Sequence, residues 1–375
     1  MDEVSLLEGL LKLYSPTHGE AEAVSYLVAQ MSALGYAAQV DAAGNAVGVI
    51  EGSAIAGATR SHEATRSHEI MLLGHIDTVP GFIEVKRVGD VLRGRGAADA
   101  KGPLACFVAA GALAGAVAGR RITVVGAVGE EGDSRGAKFL LSRVQSRPQA
   151  QPAKSTRPAP TMLIIGEPSG WERVTLGYKG SAGFEFTARR ALAHTSAQAE
   201  SACEAAVGFW NRLTARAAAM NEDKPKMFDQ LLPTLRDMQS GSDGFEEWAR
   251  LKFGVRLPPG LSVAELGAAV SAAAAGDSVE MAEGVPAYRA EKNTPLVRSF
   301  LAAIRAEGGA PGFTVKSGTS DMNLVAPVWN CPTVAYGPGD SALDHTPDEH
   351  ILISEYRRAV RVLAAVLRDE RLVNG

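Results

Sequence analysis

At 375 residues the chain exceeds the roughly 250 to 300 residues at which one hydrophobic core stops growing, so two domains are expected. Hydrophobic residues make up 46%, aromatics only 6%, and the net charge is -4, which excludes a low-complexity chain and advertises no nucleic-acid partner. Three widely spaced cysteines, Cys106, Cys203 and Cys331, argue against a disulfide framework and against a thiolate zinc site.

The opening Met1-Asp2-Glu3-Val4 lacks a basic segment leading into an apolar one, and no stretch reaches about 18 uninterrupted apolar residues. A cytoplasmic protein without a membrane span is therefore expected. Leucines at 6, 7, 10 and 11 predict a helix over 3–14, which Ser15-Pro16-Thr17 breaks before a second helix over 20–34. Short β-branched or apolar runs then follow at 37–51, 70–73, 122–128 and 162–165, separated by helical stretches such as 103–115. That alternation is the mark of an α/β domain with a largely parallel central sheet. Residues 58–69, a tandem repeat of Ala-Thr-Arg-Ser-His-Glu, and the Pro- and Ala-rich 147–160 read as surface insertions. His62 and His68 in the repeat are explained by local duplication.

From about Tyr178 the pattern changes to a strand at 183–188, a helix at 199–220, strands within 231–256, a helix at 262–275 and a strand at 278–281. This β-α-β-β-α-β order suits a small α+β domain inserted into the first. The expected division is 1–177 and 288–375 for a catalytic domain and 178–287 for a lid. A helix at 294–306, a last core strand at 333–336 and a closing helix at 353–367 complete the chain.

The chemistry gathers just after the predicted strands, where ligands collect in open α/β sheets. His75 and Asp77 stand in Gly74-His75-Ile76-Asp77-Thr78-Val79-Pro80; an imidazole bound to metal usually gives its other N–H to a carboxylate, which Asp77 can supply, and the bland alternative is an ordinary polar turn. Asp99 follows a Gly-rich turn, and one carboxylate can bridge two cations, although an aspartate ahead of a helix also serves as an N-cap. Glu130 and Glu131 are adjacent carboxylates that repel unless something positive lies beside them. One can hold a metal while the other takes a proton from water, and the bland alternative is a solvated acidic turn. Glu167, in Gly-Glu-Pro-Ser, and His345, in Asp-His-Thr-Pro, are weak alone. His18 and His350 match no metal motif.

Taken in order, G-H-I-D-T-V-P, A-D-A-K-G, G-E-E-G, G-E-P-S and D-H-T-P resemble the di-zinc metallopeptidase and amidohydrolase family of aminoacylase, acetylornithine deacetylase, succinyl-diaminopimelate desuccinylase and glutamate carboxypeptidase. The resemblance runs from Ser15-Pro16 to His345. It implies two divalent metal ions, zinc with cobalt or manganese as alternatives. Asp99 would bridge them, His75 and Glu167 would complete one site, and Glu131 and His345 the other. It also implies Glu130 as general base, Asp77 as the residue that orients His75, and His194 as a lid histidine that stabilises the oxyanion in a partner subunit, hence a homodimer through the lid. Arg256 resembles the lid arginine that grips a substrate carboxylate.

The texture of Ser317 to Asn323, Gly166 to Trp171 and Ala287 to Pro295 is most similar to the hydrolases that release lysine, and in some members ornithine, from the C-terminal glutamate of a small acidic amino-group carrier protein in lysine and arginine biosynthesis. Asp321 or Glu291 would receive the cationic side chain of that substrate. Lys179, Arg189, Arg190, Arg212 and Arg216 offer a basic rim for an acidic carrier. A small-molecule N-acyl amino acid deacylase or dipeptidase shares every metal motif. A catalytically silent binding protein would not need Glu130 and the five ligand residues intact.

Overall fold

A computed structural model describes residues 2–53, 68–145, 157–194, 196 and 199–372. The tandem repeat up to residue 67, with His62, and residues 147–156 of the second insertion lie outside these. In chain order the first elements are α1 (Glu3–Leu11), α2 (Ala21–Ala33), β1 (Ala37–Val40), β2 (Ala46–Glu51), β3 (His68–His75), β4 (Lys86–Val88) and β5 (Val91–Arg93). Next come α3 (Lys101–Ala114), β6 (Arg120–Ala127), α4 (Arg135–Arg143), the two-residue pair β7 (Val144–Gln145) and β8 (Arg157–Pro158), β9 (Met162–Gly166) and β10 (Arg173–Tyr178). Then follow β11 (Gly180–Ala191), α5 (Ala202–Asn221), β12 (Leu232–Ser242), β13 (Glu246–Leu257), α6 (Val263–Ala273), β14 (Ser278–Met281) and β15 (Tyr288–Arg289). The chain ends with α7 (Pro295–Ala306), β16 (Gly312–Lys316), α8 (Asp321–Trp329), β17 (Thr333–Ala335), β18 (His350–Leu352) and α9 (Ile353–Arg368).

The chain divides into two compact units. The first comprises 1–176, 290–314 and 324–375, and the second 177–289 with 315–323. In the first, the sheet order β1-β2-β6-β3-β9-β17-β10 has β6, β3, β9 and β17 mutually parallel at its centre. The run at 37–51 is two strands and not one. Asp41 turns the chain by accepting hydrogen bonds from the Ala43 and Asn45 N–H groups, and Gly44 sits at φ 94°, open to glycine at no steric cost.

Helix α3 is buried over nearly its whole surface, from Lys101 to Gly111 without a break, because it packs on β3 and β6 as well as on α1 and α9. Glycine lets it come close. Gly126, Gly74 and Gly166 form one row across three strands. A Cβ at Gly126 would lie 3.1 Å from Leu104 Cδ2, and one at Gly166 3.0 Å from the Phe107 ring. Lys101 is wholly buried and donates to the carbonyls of Leu10 (3.3 Å) and Leu13 (2.6 Å), tying the first turn of α3 to the C-terminal end of α1.

The second unit has the order β11-α5-β12-β13-α6-β14, the β-α-β-β-α-β pattern, in an antiparallel sheet β12-β13-β11-β14. Along β11 burial alternates residue by residue, so one face meets α5 and the other does not. Phe184, Phe186, Phe209 and Phe253 stack in its core, with the Phe186 and Phe209 ring centroids 4.3 Å apart. Helix α5 begins at Ala202, later than the 199 expected, because Ser201 and Glu204 close a capping box; Ser262 and Glu265 do the same for α6.

Lys179 corrects one expectation. It is not a rim cation: it is wholly buried and donates to the carbonyls of Met227, Phe228 and Gln230. Arg190 is held by Asp277 and Glu200, which leaves Arg189, Arg212 and Arg216 as exposed members of the set, Arg212 with its Nε on the Ala273 carbonyl. Lys179→Met removes the donor shared by three carbonyls, each worth about 1–3 kcal/mol when left unsatisfied. A loss of at least ~3 kcal/mol is expected, read as a lower denaturant midpoint, and an unchanged midpoint would refute this role.

Candidate metal centre

Strands β6, β3 and β9 are neighbours and end in register, so the loops that follow them leave the sheet at one edge. His75 closes β3, Glu130 and Glu131 follow β6, and Glu167 directly follows β9. Asp99 precedes α3, with a cis peptide to Ala100, and His345 follows a single 3-10 turn at Ser341–Leu343. All belong to the first unit.

The side chains converge. Asp99 divides its two oxygens between two imidazoles, with Oδ1 3.3 Å from His75 Nε2 and Oδ2 3.0 Å from His345 Nε2. His345 Nε2 also lies 3.0 Å from Glu131 Oε1. One ligand atom each from His75, Asp99 and Glu131 falls within 4.8 Å of the other two. Glu130 Oε2 stands 4.0 Å from His75 Nε2. His75, Asp99, Glu131 and Glu167 are buried or nearly so, whereas His345 is half exposed.

Electrostatics express the crowding. Burial opposes a charged His75, but its hydrogen bonds to Asp77 and Asp99 and the charge of Glu130 outweigh that and hold it well above the usual imidazole range. Burial likewise opposes the Asp99 carboxylate, and the hydrogen bonds of His345 and His75 overcome it, holding Asp99 well below the usual range. The Asp99 hydrogen bond raises His345 to about 9. Burial raises Glu167 well above the carboxylate range, and the charges of Asp99 and Glu130 push the same way. Four carboxyls crowded against two imidazoles thus favour positive charge among them, which a divalent cation supplies. The separations of 3.0 to 3.3 Å suit this: donors about 2.0–2.2 Å from one tetrahedral ion stand roughly 3.3–3.5 Å apart.

The side chain of Asp77 acts on more than His75. Its Oδ1 accepts from the Glu130 N–H (3.0 Å), and its Oδ2 from the Glu131 N–H (3.1 Å) and the Thr17 hydroxyl (2.8 Å). His75 Nδ1 lies 3.0 Å from the Asp77 carbonyl and 3.6 Å from its carboxylate, so the backbone makes the closer contact with the imidazole. The break at Ser15-Pro16-Thr17 is also a buttress. The Ser15 hydroxyl donates to the Ile76 carbonyl, the Ser15 carbonyl accepts from Thr78 N–H, and Pro16 bridges Thr78. None of these contacts could be read from motif spacing.

Glu291 is exposed in the first unit, and His194, Arg256 and Asp321 belong to the second. His194 is exposed with Nδ1 2.8 Å from the Ser196 hydroxyl; Arg256 donates to the Thr319 hydroxyl at 3.2 Å; Asp321 is almost wholly buried at the start of α8.

A model of peptidase family M20/M25/M40 matches residues 71–369, a span that includes the whole cluster. The chain belongs to this family. Among curated relatives, this M20 chain is 40% identical over 368 residues to the LysW-lysine hydrolase of Deinococcus radiodurans, covering 95% of this chain and 93% of that one. It is 28% identical over 302 residues to the LysW-lysine/LysW-ornithine hydrolase of Saccharolobus islandicus, covering 80% and 81%. An M20 family metallo-carboxypeptidase from Sulfolobus solfataricus shares the fold with a TM-score of 0.71 at 17% identity, over 98% of this chain and 99% of the other. A dinuclear metal binding M20 peptidase from Bacillus subtilis matches at 0.68 and 12%, over 98% and 96%. No helix among the described residues is long and apolar enough to cross a membrane.

Proposed function

We propose that this chain is a dinuclear metal-dependent amide hydrolase that releases lysine, and also ornithine, from the C-terminal glutamate side chain of a small acidic amino-group carrier protein. The observation that carries the substrate reading is the 40% identity, over nearly the full length of both chains, to a LysW-lysine hydrolase. The metal reading is supported by the way Asp99 shares its oxygens between His75 and His345. Lysine and arginine biosynthesis in the cytoplasm, as a homodimer joined through the second unit, is the setting this reading implies.

His75, Asp99 and Glu167 would hold one ion and Asp99, Glu131 and His345 the other, with zinc the first choice and cobalt or manganese compatible with the same nitrogen and oxygen donors. When bound, such ions polarise a carbonyl and lower the pKa of water. The work of the chain itself is positional and protonic. Asp77 holds the Glu130 and Glu131 N–H groups and so sets where both carboxylates stand. Glu130 takes a proton from the attacking water as its oxygen bonds to the amide carbon, then delivers it to the departing α-amine as the C–N bond breaks, the side-chain cation taking no part. To His194 we assign stabilisation of the oxyanion, to Arg256 the grip on a substrate carboxylate, and to Asp321 or Glu291 the cation of the released amino acid.

The purified protein, loaded with zinc or cobalt, is to be assayed on carrier-lysine, carrier-ornithine, N-acetylornithine and succinyl-diaminopimelate. The expected kcat/KM on carrier-lysine exceeds that on either small molecule by at least ~10²-fold. A small acyl substrate turned over equally well would overturn the carrier reading and leave the hydrolase chemistry standing.

A further inference from the structure

Behind Asp99 and His345 lies an ion pair that the metal motifs do not include. Glu349 is fully buried; its Oε1 accepts from the Ala98 N–H and the Asp99 N–H, both at 3.0 Å, and its Oε2 accepts from Arg95 Nη1 at 2.8 Å. Arg95, also buried, sends Nε to the Gly81 carbonyl (2.9 Å) and Nη1 to the Thr346 carbonyl (3.2 Å). The Gly94 N–H returns to the Glu349 carbonyl at 3.3 Å. One pair thus touches the loop after His75, the turn that ends in Asp99 and the peptide that follows His345.

His345 has φ 63°, a conformation that a side-chain-bearing residue keeps only where its surroundings enforce it. Arg95 holds the carbonyl of the next residue and supplies one such constraint. A wholly buried carboxylate beside Asp99 would add repulsion to an already acidic cluster, and the guanidinium fork of Arg95 neutralises it while spanning several acceptors that a lysine cannot reach together.

We propose that Arg95 and Glu349 are positioning residues that set the Asp99–His345 separation and thereby the affinity and geometry of the metal pair. This rests on the metal reading above. Neither residue touches the reacting atoms.

The test uses full-length protein stripped by chelator and titrated with Co²⁺, followed by visible absorption, beside thermal denaturation of the stripped forms. Glu349→Gln keeps an acceptor for the two N–H groups and loses the charge facing Arg95; Arg95→Lys keeps the charge and loses the fork. Each is expected to raise the Co²⁺ Kd at least about tenfold and to alter the absorption band, in the range found when partners behind metal ligands are removed. Val362→Ala, a core change in α9, controls for stability and should lower Tm without moving Kd or the band. A lower Tm with wild-type Kd and spectrum in both variants would overturn the proposal and reduce the pair to a structural role. If Glu349→Gln does not accumulate folded, Arg95→Lys carries the same two readouts. Wild-type protein that binds no Co²⁺ would overturn the metal reading, and this inference with it. Wild-type binding matched by both variants overturns this inference alone.

Discussion

Replacing Glu130 by glutamine is expected to lower kcat on carrier-lysine by about 10² to 10⁴-fold, the range a positioned general base contributes, while two metals per chain remain. The variant is nearly isosteric, and the Glu130 backbone N–H stays on Asp77 Oδ1, so the loop has no reason to move. The side chain stands 4.0 Å from His75 Nε2, outside the 3.0 to 3.3 Å contacts among Asp99, His75, His345 and Glu131. Turnover by rapid quench and metal content by elemental analysis separate the outcomes. A variant that keeps more than a tenth of wild-type kcat excludes Glu130 as the base. One that loses a metal makes it a ligand.

Asp99→Asn should do the reverse, losing metal before chemistry. Among the described residues Asp99 is the carboxylate in contact with both imidazoles, and an amide offers one oxygen where two were used and no negative charge. Metal content is expected to fall from two per chain to one or fewer, and turnover to drop by more than ~10³-fold. The fold should survive, because the Asp99 N–H remains on Glu349 and α3 keeps its contacts with β3 and β6. Chelator-treated wild type ought to match the activity of the variant. Two tightly held metals in Asp99→Asn would remove the bridging assignment.

Long elements with a clear period were legible in the chain. The helices at 3–11, 21–33 and 353–368 and the central strands at 120–127 and 162–166 carry apolar residues at the spacing their burial requires. The β4–β5 hairpin, β16 and α8 were not anticipated. β4 and β5 have three residues each, too few positions for alternation to register, and α8 contains Pro327, a residue that reads as a break. The site was legible to the same extent and for a similar reason. His75, Glu130, Glu131 and Glu167 sit at strand ends, which hydrophobic pattern locates, whereas Thr17, Arg95 and Glu349 act through contacts with residues 60 to 254 positions away. The H-x-x-x-E spacing from His345 to Glu349 was visible, but nothing local says that Glu349 turns inward. Lys179 misled because a lysine at a change of pattern looks solvated, and three inward carbonyls cannot be seen from composition.

The ion pair between Arg95 and Glu349 joins residues 254 positions apart, and the contact between Glu131 and His345 joins residues 214 apart. At roughly 5 to 20 residues per second of synthesis, the half of the centre contributed by His75, Asp99, Glu130 and Glu131 exists for on the order of 10 to 50 seconds before its other half leaves the ribosome. During that interval the early ligands form an incomplete set. The order of events is thus built into the chain: on the proposed assignment the set for one ion is complete once Glu167 has been made, and the set for the other only with His345.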